Sequence, residues 1–328
     1  MKFTSLSVAS VLLSSTNAWW GTGHLLVARI ANDILLEESP TTLNKAESVL
    51  AILEKSDPSL TKDEGKHPFV ECTTFADDIK GKGGSYQAGW HFIDTPFLDE
   101  GGKISDFDFK PDSHNVTEAL TALTNWVNKE GSYQDSYEYQ QVTSHGASGH
   151  TPADDVSYAL RLIIHYTGDV HQPLHGTARV DKEYPAGDRG GNSFHLPNKL
   201  SASNLHAAWD SVLYEFTGYG KLPFTDSTWA ENGEHAKTLM TKYPKDTLGD
   251  VTTMSPTFWA NESFEIAENF VYKTISHHEN EALPAEYIEE GNTLAEKQIV
   301  KAGYRLANLM KSLNFAQEMP VEELFLQA

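Results

Sequence analysis

Apolar residues recur at the spacing of one helix face over several long stretches of this chain. Such stretches cover residues 25–36, 43–55 and 117–129, and a longer one follows Pro284. Strictly alternating apolar and polar positions do not form a series, and the sequence contains neither an internal repeat nor a heptad array. The pattern therefore predicts a mainly α-helical bundle, with at most a small hairpin among the loops.

Segments rich in glycine and aspartate separate these stretches and predict long loops. They lie at residues 81–84, 100–108, 131–150 and 180–191. After the third loop, Thr151 and Pro152 form the N-cap and first-turn arrangement of a new helix, which continues through an apolar run at 158–164. We expect one domain over residues 19–328, because this length suffices for one large core.

Three histidines and an aspartate directly follow that apolar run. His165 and Asp169 are four residues apart, so they share one face of a helix. Pro173 ends the helix and turns the chain, which allows His175 to approach the same point. Neutral imidazoles and a carboxylate that converge in this way are ligands of zinc. The alternative is a buried helix end with hydrogen-bonded histidines.

Two further sets of polar residues fit the same chemistry. His206 and Asp210 repeat the spacing of four. Asp77 and His91 stand among aromatic and aliphatic residues, where an uncompensated charge is costly and a partner is expected. For Asp77 and His91 the alternative is an ordinary salt bridge or a surface turn.

The N-terminal segment has the features of a secretory signal peptide. A lysine precedes a short apolar stretch at residues 8–13, and small residues precede the cleavage point after Ala18. The stretch is too short to span a bilayer. Removal of residues 1–18 would give Trp19 a free α-amino group that could bind zinc, and His24 follows five residues later. The alternative for Trp19 is a frayed terminal aromatic.

Taken in order, these motifs resemble the zinc-dependent, single-strand-specific nucleases, also called type I nucleases or 3′-nucleotidase/nucleases. The resemblance covers nearly the whole chain after residue 18. The segments that carry it are residues 19–24, 75–77, 90–94, 165–175, 190–192, 206–210, 259–263 and 302–307.

The resemblance implies a single-domain helical bundle with long loops around a trinuclear zinc cleft. The first zinc would be held by Asp77, His91 and His165, the second by His175, His206 and Asp210, and the third by Trp19 and His24, with Asp169 bridging the first and third. Nitrogen and oxygen ligands without thiolate are consistent with catalytic zinc.

The resemblance also implies hydrolysis of single-stranded DNA and RNA to 5′-phosphate products, and removal of the phosphate from 3′-nucleotides. Asp77 would orient or deprotonate the attacking water, and Lys80 would stabilise the transition-state charge. Phe92 would stack on a base, Asp94 would accept hydrogen bonds from its edge, and Asn192 would bond the base or the phosphate. The alternatives are a solvated Lys80, a core Phe92 and an Asn192 that only builds a turn.

Charge and composition limit the partners and the location. A formal net charge of -21 leaves little affinity for duplex backbones, so single strands and 3′-nucleotides are the expected substrates. The sequence has no hydrophobic C-terminal tail for a membrane anchor, and a monomer that is secreted or held in a vacuolar or lysosomal-type compartment is expected. Sequons would carry glycans at Asn115 and Asn261. The single cysteine, Cys72, is expected to fill an apolar position.

Two other functions fit parts of the pattern. Zinc-dependent bacterial phospholipases C are similar in fold, but their second pair normally ends in glutamate, where this chain has Asp210. A secreted zinc-binding protein without turnover would need a closed coordination shell with no site for water, and the presence of Asp77 and Lys80 at the spacing of the family argues against it. His171 is expected to be structural. The other histidines, expected at the surface, are His67, His114, His145, His150, His235, His277 and His278.

Overall fold

Helices dominate the residues that the computed structural model describes, which are 19–146, 149–218, 221–275 and 278–315. The α-helices in these ranges are α1 (Gly21–Glu38), α2 (Pro40–Ser56), α3 (Pro68–Glu71), α4 (Phe75–Asp78), α5 (Val116–Asn128), α6 (Tyr137–His145), α7 (Pro152–Asp169), α8 (Leu205–Asp210), α9 (Asp226–Lys242), α10 (Pro256–Ile266) and α11 (Ala285–Ser312). The prediction of a mainly α-helical, single-domain bundle is confirmed. The predicted signal peptide, residues 1–18, lies outside the described residues.

Helix α7 runs through the core, with α1, α2, α5, α6 and α11 packed around it. Fifteen of its 18 residues are buried, so its polar side chains must find partners inside the protein. Arg161 does so through hydrogen bonds of 2.7 and 2.6 Å to Glu64. Among the described residues, no helix combines the length and the apolar character needed to cross a lipid bilayer.

The start of α7 follows the sequence prediction. Thr151 Oγ1 accepts from the backbone N–H of Asp154, the Asp154 carboxylate accepts in return from the backbone N–H of Thr151, and Pro152 occupies the first turn. The predicted stretches at 25–36 and 43–55 lie within α1 and α2. The stretch at 117–129 matches α5 to within one residue, and the long helix after Pro284 is α11.

Two short strand pairs order the loop between α4 and α5 and the loops between α7 and α8. The strands are β1 (Thr95–Leu98), β2 (Thr177–Val180), β3 (His195–Lys199) and β4 (Ala202–Asn204). β3 and β4 pair antiparallel, as the predicted small hairpin, whereas β1 and β2 pair in parallel. The parallel pair holds the segments after His91 and His175 side by side, and the backbone N–H of Ile93 donates to His175 O at 2.7 Å.

The prediction of a loop over residues 131–150 is wrong in part. This segment contains α6 and a 3₁₀ turn, Tyr133–Asp135. Ser136 caps α6, and Val142 is its buried apolar anchor. Because the helix has few apolar positions, its sequence lacks the periodic pattern that identified the others.

Candidate metal centre and active site

Side chains from six separate segments meet at the C-terminal end of α7. They form three groups, each with ligand atoms within 4.8 Å of one another: His24, His165 and Asp169; Asp77, His91 and His165; and His175, His206 and Asp210. The segments are α1, α4, the 3₁₀ turn Gly84–His91, α7, the 3₁₀ turn Pro173–His175 and α8. Every ligand side chain predicted from His24 to Asp210 lies in one of these groups.

The Asp169 carboxylate lies next to three imidazoles. Its Oδ1 lies 3.2 Å from His24 Nε2, and its Oδ2 lies 2.8 Å from His91 Nδ1 and 3.3 Å from His165 Nε2. The two Asp169 carboxylate oxygens and His24 Nε2 are all buried, and none of these three atoms has a hydrogen-bond partner among the described residues. Buried polar atoms without partners are costly, so this set fits a cation placed among them.

Asp77 faces the same imidazoles from α4. Its Oδ1 lies 3.8 Å from His91 Nδ1, and its Oδ2 lies 3.8 Å from His165 Nε2. Lys80 Nζ donates to Asp77 Oδ1 at 2.8 Å, and the Lys80 side chain is half-buried. Lys80 therefore fixes the Asp77 carboxylate and brings a positive charge to the edge of the group.

The third group lies between the 3₁₀ turn Pro173–His175 and α8. His175 Nε2 and His206 Nε2 are 3.1 Å apart. Asp210 Oδ2 lies 3.5 Å from His206 Nε2, and Asp210 Oδ1 lies 3.9 Å from His175 Nε2. The i, i+4 spacing on α8 places His206 and Asp210 on the same face, as predicted.

Fixed acceptors determine which nitrogen of four imidazoles carries the proton. The four hydrogen bonds run from His165 Nδ1 to Thr73 O, from His91 Nε2 to Gln87 Oε1, from His175 Nδ1 to His91 O and from His206 Nδ1 to Gly190 O. A carbonyl or amide oxygen only accepts, so each of these nitrogens donates. The opposite nitrogen of each neutral ring is then a bare lone pair.

These bare nitrogens face one another in pairs. The pair His175 Nε2 and His206 Nε2 is separated by 3.1 Å, and the pair His165 Nε2 and His91 Nδ1 by 3.2 Å. The lone pairs of two neutral rings at such a distance repel each other unless a metal ion or a proton lies between them. A ligating histidine that donates its other N–H to a fixed oxygen is the usual arrangement around protein-bound metals. The donor set of imidazole and carboxylate fits zinc.

Burial also sets the charge of these rings. It lowers the pKa of His91 and of His206 to about 4, so both rings are neutral at pH 7. For His165, burial also favours the neutral ring, but Asp169 and Asp77 outweigh it and raise the pKa to about 8. Without a metal, His165 therefore keeps a second proton at pH 7, and its Nε2 becomes a bare lone pair only when a bound cation displaces that proton.

A family model described as S1/P1 Nuclease matches residues 19–314, which include all of these ligands. The chain belongs to the S1/P1 nuclease family. Nuclease S1 of Aspergillus oryzae is 24% identical over 311 residues, covering 92% of this chain and 94% of its own. Nuclease P1 of Penicillium citrinum is 24% identical over 310 residues, with 90% and 98% covered. Endonuclease 1 of Arabidopsis thaliana is 25% identical over 307 residues, with 91% and 88% covered.

The first residue of the S1/P1 nuclease match, Trp19, lies against the centre. Its ring is fully buried, and its Nε1 donates to Gly168 O at 3.0 Å, next to Asp169. The backbone N–H of Trp20 donates to Asp210 O at 2.8 Å. The start of the described chain is therefore fixed beside the ligands, and the alternative of a frayed aromatic is wrong.

The three residues that the sequence assigns to substrate binding in this S1/P1 nuclease differ in their contacts and in their local electrostatics. Phe92 is half-buried and stacks on His175 with ring centroids 4.4 Å apart. Asp94 is half-buried, and burial, with smaller contributions from nearby carboxylates, raises its pKa to about 7. Asn192 Nδ2 donates to Arg189 O at 2.9 Å, so this side chain does build a turn.

Two glutamines that support the ligands were not predicted. Gln87 is fully buried, accepts from His91 Nε2 and from the Tyr166 hydroxyl, and donates to Ala76 O at 2.7 Å. Gln172 Nε2 donates to Asp210 Oδ1 at 2.7 Å. A signal existed for both, since Gln87 precedes His91 by four residues and Gln172 lies inside the histidine-rich motif.

The prediction that the other histidines lie at the surface is wrong for some of them. His67 is half-buried and stacks on Trp229 at 3.6 Å, and His150 is half-buried. His145, His235 and His278 are exposed as expected. His171 is buried and donates to Thr167 O, and it belongs to none of the candidate metal-binding groups. This agrees with a structural role. Cys72 is buried as expected, and His277 lies outside the described residues.

Proposed function

We propose that this chain is a secreted, zinc-dependent endonuclease that hydrolyses single-stranded DNA and RNA to 5′-phosphate products and removes the phosphate from 3′-nucleotides. The observation that carries the proposal is the convergence of imidazole nitrogens on two carboxylates. His175 Nε2 and His206 Nε2 face each other as bare lone pairs beside Asp210, and His91 Nδ1 and His165 Nε2 lie beside Asp169. Membership of the S1/P1 nuclease family supports the reaction.

The three ligand groups suit three zinc ions. One would be held by Asp77, His91 and His165, one by His175, His206 and Asp210, and one by His24 with the amino group and carbonyl of Trp19, with Asp169 shared between the first and third. Bound zinc supplies a Lewis acid that polarises phosphate oxygens and acidifies water. The buried position of Trp19 and the start of the family match at residue 19 support a mature chain that begins there.

Asp77 and Lys80 would act on the reacting groups from the edge of the centre. The Asp77 carboxylate orients the attacking water or accepts its proton. Lys80 Nζ, 2.8 Å from Asp77 Oδ1, keeps that carboxylate in place. The half-buried ammonium also offsets the negative charge that builds on the phosphate in the transition state.

Replacing Lys80 with methionine is expected to lower kcat on single-stranded DNA by about 10²–10³-fold, the usual loss when one donor to a transition-state charge is removed. KM should change much less, because this charge is absent from the bound substrate. Lys82→Met is the matched control, since Lys82 is exposed two residues further on. Equal kcat values for the two variants in steady-state assays would remove Lys80 from the mechanism.

Stacking and one carboxyl group would hold the base. Phe92 presents a half-buried ring beside His175. Stacking tolerates any base but requires it to be unpaired, which accounts for a preference for single strands. The net charge of -21 agrees, because binding to a duplex depends mainly on cationic contacts with its phosphates. Asn192 would contact the base or the phosphate from its turn.

The base preference should change as pH rises through about 7, where the Asp94 carboxyl loses its proton. Below that pH the acid can donate a hydrogen bond, and above it the carboxylate only accepts. Guanine offers N1–H and N2–H side by side to a carboxylate, whereas uracil offers N3–H alone. The ratio of kcat/KM for 3′-GMP to that for 3′-UMP should therefore increase above pH 7.

This ratio cancels any titration that affects both substrates equally. Asp94→Asn cannot lose a proton, so its ratio should stay flat across the same pH range. A ratio that rises equally in Asp94→Asn would assign the titration to another group.

Assays of zinc-loaded mature protein test the proposed function. Denatured DNA and 3′-AMP should be hydrolysed, the same DNA as a duplex should resist, and chelation should stop both reactions until zinc is restored. Intact denatured DNA together with cleaved phosphatidylcholine would favour the phospholipase C alternative. A protein that binds zinc and cleaves none of these substrates would favour the non-enzymatic alternative.

Secretion, a vacuolar or lysosomal-type location, glycosylation and the monomeric state stay predictions. Asn261 is exposed on α10 and open to a glycan. Asn115 is half-buried, and its Oδ1 caps α5 by accepting from the backbone N–H groups of Thr117 and Glu118. A monomer would suffice for the centre, since all the ligand groups come from one chain.

A further inference from the structure

Away from the nuclease centre, a histidine and two glutamates meet where α5 and α6 begin. His114 directly precedes the N-cap of α5, Glu118 lies in the first turn of α5, and Glu138 lies in the first turn of α6. His114 Nδ1 is 3.7 Å from Glu118 Oε2 and 3.7 Å from Glu138 Oε1. The three ligand atoms lie within 4.8 Å of one another, and Tyr137 stacks on the imidazole at 3.7 Å.

Glu138 distinguishes this group from an ordinary surface ion pair. The residue is only 4% exposed, yet its Oε1 accepts no hydrogen bond. This unpartnered oxygen lies 3.7 Å from His114 Nδ1, which is too long for a hydrogen bond between them. A buried carboxylate oxygen with no donor is costly, which indicates a position built to meet a cation.

The group is open to solvent on its other side. The side chains of His114 and Glu118 are 40% and 55% exposed, and both line a groove of about 600 Å³. A cation can therefore enter from water and keep water as a further ligand. One imidazole and two carboxylates suit zinc, whereas calcium and magnesium prefer oxygen ligands alone. Tetrahedral zinc ligands stand roughly 3.3 Å apart, so the observed separations require little closure.

We propose that His114, Glu118 and Glu138 form a further binding site for a divalent cation of the zinc class, separate from the nuclease centre. A cation there would join the first turns of α5 and α6. The first turn of α5 is hydrogen-bonded to the segment that carries Phe92, because the backbone N–H of Val116 donates to Phe92 O at 2.8 Å. The site would thus stabilise the segment that carries Phe92 without taking part in the reaction.

The zinc content of four proteins tests this site: wild type, His114→Gln, Glu138→Gln and the control Glu130→Gln. Glu130 is exposed and lines the same groove, but it lies outside the group. Each protein is dialysed against one zinc buffer, analysed for zinc per chain, and titrated calorimetrically with Zn²⁺ alone. Wild type and Glu130→Gln should bind one zinc ion per chain at this site. His114→Gln and Glu138→Gln should lose that ion or bind it at least ~10–100-fold more weakly, since this is the usual loss when even a residue that only hydrogen-bonds a metal ligand is replaced.

Equal zinc content and equal titrations in all four proteins would overturn the proposal. The test compares variants, so it does not depend on how many ions the nuclease centre holds, and cleavage of denatured DNA reports on that centre separately. His114 is partly exposed, so His114→Gln keeps the test decisive if Glu138→Gln fails to fold. The rise in Tm on adding zinc should also be smaller for His114→Gln than for Glu130→Gln, and identical rises would count against the site.

Discussion

Asp169→Asn is expected to lower kcat/KM on denatured DNA by about 10³-fold or more, equivalent to roughly 4 kcal/mol of transition-state stabilisation. Both carboxylate oxygens of Asp169 face imidazole nitrogens, at 3.2 Å from His24 and at 2.8 and 3.3 Å from His91 and His165. The amide has one oxygen fewer and no charge. Its NH₂ group would also donate to a bare imidazole nitrogen and occupy a lone pair that a metal needs.

Metal content and thermal stability distinguish this effect from a general loss of structure. Asp169→Asn should bind less zinc per chain than wild type, and zinc should raise its Tm by less, since ligand binding stabilises a fold only as far as it binds. Asp155→Asn on the same helix is the control. Burial raises the pKa of Asp155 to about 6, so a neutral amide there removes no favourable charge. Wild-type zinc content and turnover in Asp169→Asn would contradict the bridging role.

The membership of the three side-chain groups is the part of the centre that the sequence predicted most directly. The pairs His165 and Asp169, and His206 and Asp210, are local because four residues make one helix turn, so periodicity alone places each pair on one face. The N-cap at Thr151 also specified where α7 begins. These signals are short-range, and a single sequence contains them in full.

The orientation of the rings could not be predicted in the same way. His165 and His206 donate to the backbone carbonyls of Thr73 and Gly190. Every residue has a carbonyl, so no residue type marks these acceptors. They become partners only after distant segments fold together, and they decide which nitrogen of each ring faces the candidate metal centre.

The parallel pair of β1 and β2 was unpredictable for a related reason. Its partners, such as Thr95 and Thr177, lie far apart in the chain, and four residues are too few for a periodic signal. The pair nevertheless brings His91 and His175 together, and His175 Nδ1 donates to His91 O at 2.8 Å. Long-range backbone pairing therefore joins two ligand groups that the sequence presents as separate motifs.

Gly168→Ala is expected to destabilise the protein by about 1–3 kcal/mol, against the effect of helix propensity. In an exposed helix, alanine would be more favourable than glycine by roughly 0.5–1 kcal/mol. In α7, however, an added Cβ would lie 2.6 Å from His24 Nδ1 and 2.9 Å from His24 Cε1. The His24 ring is buried and stacks on His165 at 4.1 Å, so it has little room to move. The cost of the steric clash with His24 therefore exceeds the gain in helix propensity.

The displaced ring should also lose its position beside Asp169. A shift of about 1 Å in a catalytic group can cost on the order of 10²-fold in rate, so turnover on denatured DNA should fall by about that factor. Zinc content should fall as well, because His24 is one of the few ligands of its group. Gly218→Ala is the control, since Gly218 is exposed with open space around it and should change stability by less than about 0.5 kcal/mol. A higher Tm with unchanged zinc in Gly168→Ala would mean that His24 tolerates the methyl group, and that this glycine does not serve the metal centre.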